Sequence, residues 1–300
     1  MSANSTASPL TSRAVLVSLN IRAFGGERQD NTITDEVHAG HGIQERSAGA
    51  YSKKLLAKLV KHVNKAVNAA RTDHYFLTLP FNRQGYALLP TEMYFHYVQT
   101  MERHRLNLEN ILKEETQPDK WEAHMKEEKR IHNGTFNPND YPTPEQFRGK
   151  YTFAMTFEPV PDSGHWVVDM ETEELARLRN ELGQRMQDEF KQAAKDLSER
   201  VVKAVKHLYN ALTEFGQTMD GTERTKTFRD SAVTNITDIL DILPMLNVTG
   251  DAKLLEIAKE LRSKVANYDP QALREMPELR NEVARNAKDV LDKMQAAGYF

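Results

Sequence analysis

Between Glu171 and Gly216 the chain runs 46 residues without a proline, and this stretch constrains the fold more than any other. Its apolar positions are Leu175, Leu178, Leu182, Met186, Phe190, Ala194, Leu197, Val201, Val205, Leu208, Leu212 and Phe215. They recur at steps of three and four, the spacing of one helix face. Fours outnumber threes, which is nearer an eleven-residue repeat and favours a straight or slightly right-handed stripe. A helix of this length is roughly 70 Å long, longer than a compact domain of this size is wide. It must lie on other long helices or on another chain. The spacing predicts one continuous helix, or two halves hinged at Gly183. A stripe left bare would be an unusually large apolar patch, so Leu197, Val201, Leu208 and Leu212 are the candidate helix interface, with self-association or a protein partner as the expected cover.

The C-terminal third supplies shorter helices. Thr222 to Leu243 and Leu254 to Val265 repeat at helical spacing, with Pro244 expected to stop or kink the first. Asp269-Pro270 and Met276-Pro277 each place a proline at a first helical position. The N-terminal half reads differently. Val15, Val17, Leu19 and Ile21 alternate with Leu16, Ser18, Asn20 and Arg22, a half-buried strand ended by Gly25-Gly26. A polar stretch to Gly49 is expected to be loop, with a short helix at Thr34 to Ala39. A helix over Tyr51 to Arg71 follows, then a hairpin of Tyr75 to Phe81 and Tyr86 to Leu89. Thr91 is the expected N-cap of the next helix, and a shorter charged helix covers Asp119 to His132. Thr143-Pro144-Glu145-Gln146 has the form of a capping box. Tyr151 to Phe157 alternates as a strand, with His165 to Asp169 as its return. These elements predict an α+β chain, mainly α. A small antiparallel sheet sits in the N-terminal half and long antiparallel helices in the C-terminal half. Residues 1–12 are expected to be a disordered tail, 13–169 the α+β portion and 170–300 the long-helix portion.

Composition removes several kinds of chemistry. The chain has no cysteine, which rules out disulfides, thiolate metal sites and cysteine nucleophiles. Its net charge is −3, so nothing global attracts it to nucleic acid or anionic lipid. The N-terminus lacks the apolar core of a secretory signal, and no run is apolar enough to span a bilayer. A cytoplasmic protein with no membrane association is expected.

Local signals are few. Lys54, Lys58, Lys61 and Lys65 stand four, three and four apart on the expected helix and line one face. That face is a candidate anion or nucleic-acid contact, although a basic stripe on a net-acidic chain is more often a solvated face. Four aligned lysines neutralise only a few phosphates, so such binding would be weak and salt-sensitive. His38 and His41 lie beside Asp35 and Glu36, and Glu92, His96 and His104 share a helix, yet none has the spacing of a metal motif. Nucleophile elbows and phosphate loops are absent from the sequence. No catalytic residue, metal or cofactor is expected. The aromatics from Tyr75 to Tyr97 and from Tyr151 to Trp166 fit a sheet core better than a base-stacking platform.

The segments Phe228 to Asn235 and Leu243-Pro244-Met245-Leu246-Asn247-Val248-Thr249-Gly250-Asp251 resemble domain-of-unknown-function family 3150, found in bacteriophages and bacteria. Leu273-Arg274, Arg280 to Ala287, Leu19-Asn20-Ile21 and Tyr75 to Phe81 fit the same resemblance in order. It implies a phage-encoded protein in the host cytoplasm. Some members lie near genes for a MoxR-like AAA+ ATPase and a von Willebrand A-type protein. It implies no activity and no functional residues. The leading expectation is therefore a non-enzymatic interaction or accessory protein that uses long helices to self-associate or bind a partner. The alternatives are a nucleic-acid-binding accessory protein using the lysine stripe, and an enzyme of unrecognised type.

Overall fold

The computed structural model describes residues 10–83, 85–162, 172–216 and 226–300. The chain divides into two compact units, but not at residue 170. One comprises Met1–Ser18, Tyr75–Phe95 and Phe157–Phe300; the other comprises Leu19–His74 and His96–Thr156. Of the expected tail, residues 1–9 lie outside the described residues, and Thr11–Arg13 forms a 3-10 turn. The fold is mainly helical, with a four-stranded sheet and a two-stranded ribbon.

The sheet has the order β4-β5-β1-β6, from β1 (Ala14–Arg22), β4 (Leu79–Pro80), β5 (Ala87–Pro90) and β6 (Thr152–Pro159). β5 pairs antiparallel with β1, Ala14 opposite Pro90 and Val17 opposite Ala87, and with β4, Leu79 opposite Leu88. The expected hairpin is therefore present but shorter. Helix α2 (Ala57–Leu77) absorbs Tyr75 to Leu77, because each added residue of a formed helix gains a backbone bond for little cost. Gly85 has a φ of +78°, which glycine adopts without strain at the turn. The expected return strand His165 to Asp169 lies outside the described residues.

The first unit is built on α6 (Thr172–Thr213), a single helix of 42 residues with Gly183 inside it and no break. At 1.5 Å per residue it is about 63 Å long. Helices α7 (Ser231–Leu246) and α10 (Pro277–Ala296) pack along it. Met186, Phe190, Leu197, Val201, Val205, Leu208 and Leu212 are buried there, as are Ile236, Leu240 and Leu243 of α7 and Val283, Ala287 and Val290 of α10. This corrects the expected interface. Leu197, Val201, Leu208 and Leu212 are at most 2% exposed within a single chain. They are internal core, each contributing about 1.5–3 kcal/mol by burial. The prolines that break the C-terminal path do not prevent covering, because successive short helices present matching apolar faces. Pro244 does not stop α7, which continues to Leu246 with Asn247 N–H bonded to Leu243 C=O at 2.9 Å. Helices α8 (Ala252–Leu261) and α9 (Pro270–Glu275) complete the unit, a π-turn at Arg262–Ala266 following α8. Asp269 caps α9 through the N–H of Ala272 at 3.2 Å. The start of the expected helix at Thr222 lies outside the described residues, and residues 227–230 precede α7 without regular structure.

The second unit holds the rest of β1 and β6, most of α2, and α3 (Tyr94–Glu115) from His96 onward. It also contains α1 (Asn31–His41), α4 (Pro118–His132), α5 (Pro144–Gly149) and the ribbon β2 (Glu27–Gln29) with β3 (Ser52–Lys54). Its core joins Ile21 to Leu59, Val63 and Val67 of α2, Leu108 and Leu112 of α3, and Phe147 of α5. The capping box at Thr143–Gln146 is formed. Thr91 caps no helix. It opens a 3-10 turn and its hydroxyl donates to Arg13 C=O at 3.2 Å. Among the described residues no helix is long and apolar enough to cross a membrane.

Candidate functional site

The site begins with a glycine. β1 ends at Arg22, and the chain turns through Gly25-Gly26 into β2. Gly26 has a φ of +68°, and a Cβ there would stand 2.9 Å from the carbonyl oxygen of Leu55. Only glycine lets the two backbones meet, with Leu55 N–H bonded to Gly26 C=O at 2.6 Å. This contact pins β2 against β3 with Arg28 opposite Lys53.

Opposite residues of an antiparallel pair point to one face, so two cations would meet. A carboxylate resolves this. Lys53 Nζ pairs with Asp140 at 2.6 Å, and Arg28 pairs with the other oxygen of the same carboxylate at 3.3 Å. Asp30 adds a second carboxylate to Lys53 at 2.6 Å, and Thr135 C=O accepts at 3.1 Å. Lys53 is 4% exposed. Burial works against its charge, but Asp140 and Asp30 outweigh it and hold the ammonium above its ordinary pKa. The hydrogen bond from Lys53, then that from the N–H of Ile33, hold Asp30 below the usual carboxylate range. Asp30 is also the N-cap of α1, accepting from Ile33 at 3.2 Å. The cluster thus ties three segments together with all its charges matched.

Beside it, Glu128 of α4 is a buried carboxylate that accepts from Leu56 N–H at 2.9 Å. Leu56 has a φ of +52°, a left-handed backbone that costs about 1–2 kcal/mol for a residue other than glycine. Glu128 caps the start of α2 from another helix and holds this conformation in place. Burial, with Glu128 nearby, pushes the Tyr141 hydroxyl well above its ordinary pKa.

Two hollows flank the ion cluster. One, of about 870 Å³, is walled by Arg22, Phe24, Arg28, Leu55, Tyr141 and Lys150, with Gly25 and Gly149 on its surface. The other, of about 450 Å³, shares Arg28 and Asp140 with it and adds Gln29, Asn31, Lys53 and Asn137. Among the described residues, no His, Ser, Thr or Cys lines the first hollow.

The lysine stripe is not one helix face. Lys54 lies on β3, because α2 begins only at Ala57. Lys58, Lys61 and Lys65 are exposed on α2, and Lys58 pairs with Glu127 of α4 at 2.6 Å. The histidines are scattered. His38 is buried against Gly49 C=O at 2.9 Å, His41 and His96 are exposed, and His104 meets Asp73 at 2.6 Å. Among the described residues no three His, Asp or Glu side chains gather as a metal site. His74 and Tyr97 form a buried pair at 2.8 Å, and burial depresses the His74 pKa to about 4.

Lys53, Asp30, Asp140 and Arg28 carry no local motif. Lys53 falls within the helix expected over Tyr51 to Arg71, and β2 within the stretch expected to be loop. The usable signal was Gly25-Gly26 followed by a short polar run able to turn back on Tyr51 to Lys54.

No family model, curated protein or solved structure matches this chain.

Proposed function

We propose that this chain is a non-enzymatic interaction protein that receives a segment of a partner in the 870 Å³ hollow of the second unit. The observation that carries this reading is the hollow's lining. It combines cations, amides and aromatic surface without a serine, cysteine or histidine among the described residues, and its titratable groups besides the arginines are Glu27, the ion-paired Asp140, Lys150 and Tyr141 with its raised pKa. A general acid or base works best with a pKa near the operating pH, whereas a binding cleft needs apolar walls and a few placed polar groups. The long helices serve as a stabilising body, since their apolar faces are used within the chain. The resemblance carried by Leu243 to Asp251 adds a phage origin to the proposal, with AAA+ ATPase and von Willebrand A-type proteins as partners to try first.

The experiment plugs the hollow. Gly149 lines it, and a Cβ added there meets nothing within 4 Å. Gly149→Trp should abolish capture of a partner from host lysate, while Gly40→Trp, equally open on α1, should leave capture intact. Equal capture by both variants would remove the hollow from consideration.

A further inference from the structure

Resting on that reading, we infer that the partner segment is an acidic peptide, its carboxylates read by Arg22, Arg28 and Lys150. The charge of the hollow is lopsided once internal pairing is counted. Its lining carries Arg22, Arg28 and Lys150 against Glu27 and Asp140. Asp140 is already held by buried Lys53 at 2.6 Å, whereas its contact with Arg28 is longer, at 3.3 Å. The Arg28 side chain is 51% exposed. Arg28 can therefore turn toward an incoming anion while Asp140 keeps its bond to Lys53, which it then shares with Asp30. Glu27 remains as the opposing carboxylate. Arg22 and Lys150 are exposed, and Lys150 is parked over the Phe24 ring at 5.2 Å. A cation–π contact of this kind is weaker at an exposed site than a charge-assisted hydrogen bond to a carboxylate.

The occupant's shape follows from how the cations are supplied. They come from three separate segments, the end of β1, β2 and the residue after α5. Between them stand Phe24, Leu55, Tyr141 and Pro142, which suit apolar side chains between acidic ones. The second hollow continues past Arg28 and Asp140 with Gln29, Asn31 and Asn137, amide groups able to bond a peptide backbone. An extended chain of mixed acidic and apolar residues fits the first hollow, and an uncharged continuation of it fits the second, whose lining also carries Asp30 and Glu36.

The test is fluorescence anisotropy on the full chain with a short labelled peptide of alternating glutamate and leucine, beside the same peptide with glutamine for glutamate. The glutamate peptide should bind at least about tenfold more tightly and weaken as salt rises. Arg22→Glu combined with Lys150→Glu should weaken binding by about tenfold with an unchanged thermal midpoint, and Arg28→Gln should weaken it by about tenfold with a lowered midpoint, because Asp140 loses one of its two cations. Equal affinity for the two peptides, unchanged binding by the charge variants, or full displacement by inorganic phosphate would overturn the inference. Gly149→Trp separates the two readings. Partner capture lost in this variant, with no preference for the glutamate peptide, sinks the acidic-peptide inference and spares the hollow. Capture retained in this variant sinks both.

Discussion

The two units of this chain bury different things. Among the described residues of the helical unit the buried polar side chains are Thr78 and Ser198, and the core is Leu, Val, Ile, Ala, Met and Phe. The other unit buries Lys53, Glu128, His38 and His74, together with Thr34, Thr100 and Thr116. An apolar core is non-directional and tolerates repacking. A buried ion cluster has one arrangement that satisfies it, and a half-satisfied one is costly. The unit with the 870 Å³ hollow is thus held by directional ties, one of which positions Arg28, while the helical unit is held by area.

The comparison predicts where each unit breaks. Leu208→Asp should have the largest effect, placing a carboxylate in a fully apolar site and costing more than about 4 kcal/mol. Hydrogen exchange should quicken throughout α6, α7 and α10. Light scattering should show the 34.3 kDa chain with no assembly to dissociate. A well-folded variant of halved mass would return the stripe to an intermolecular role.

Lys53→Met should follow, at about 3–5 kcal/mol, because Asp30 and Asp140 are left facing an apolar tip. Exchange should quicken in β2, β3 and α1. Chemical denaturation comparing Lys53→Met with the triple variant that also carries Asp30→Asn and Asp140→Asn is the check, and the triple variant should regain much of the loss.

Acid should weaken the polar unit next. His74 is neutral in the fold, with a pKa of about 4 against 6.5 in the unfolded chain. The unfolded chain therefore binds the extra proton first, so this contribution is whole above pH 6.5 and is lost as pH falls toward 4. Between pH 7 and 5 the loss is about 2 kcal/mol. His74→Gln should flatten that part of the pH profile, and an unchanged slope would show that His74 does not carry it.

The smallest effect is expected from Lys58→Glu with Lys61→Glu. Both lysines are exposed on α2, and surface pairs such as Lys58–Glu127 contribute little. The thermal midpoint should stay in place. DNA or RNA affinity at physiological salt should be weak before and after. Micromolar binding abolished by the pair would revive the stripe as a nucleic-acid surface.

The contrast also explains what the sequence made legible. The helical unit could be read from Leu175 to Phe215, because burial along a helix writes itself into the chain every three or four residues. Asp269-Pro270 and Thr143 to Gln146 were legible because a cap involves residues three apart. What lay beyond reach was contact between distant segments. Nothing local says that Leu208 faces α10 of its own chain and not a second copy, or that Lys53 meets Asp140, 87 positions on. Thr91 misled for a related reason, since its hydroxyl is taken by Arg13 of β1's approach. Among the lysines, Lys53 and Lys54 differ only in which side of a short strand they occupy, and the nearest signals favoured a helix.

That last point has a consequence for how the chain finds its shape. Residues 53–56 read Lys-Lys-Leu-Leu, so sliding β3 by one position against β2 would still offer a lysine to Asp30 and Asp140 and a leucine to the core. Burial of Leu55 opposes the slip, because Leu55 would take the exposed place of Lys54, but it does not fix the alignment by itself. The backbone does, through the contact of Gly26 with Leu55 and through Glu128 holding Leu56 at its positive φ. A chain that has formed its ribbon before α4 delivers Glu128 lacks one of the contacts that exclude the wrong alignment. Glu128→Gln should accumulate a misaligned, slowly correcting population upon refolding, out of proportion to any change in its final stability.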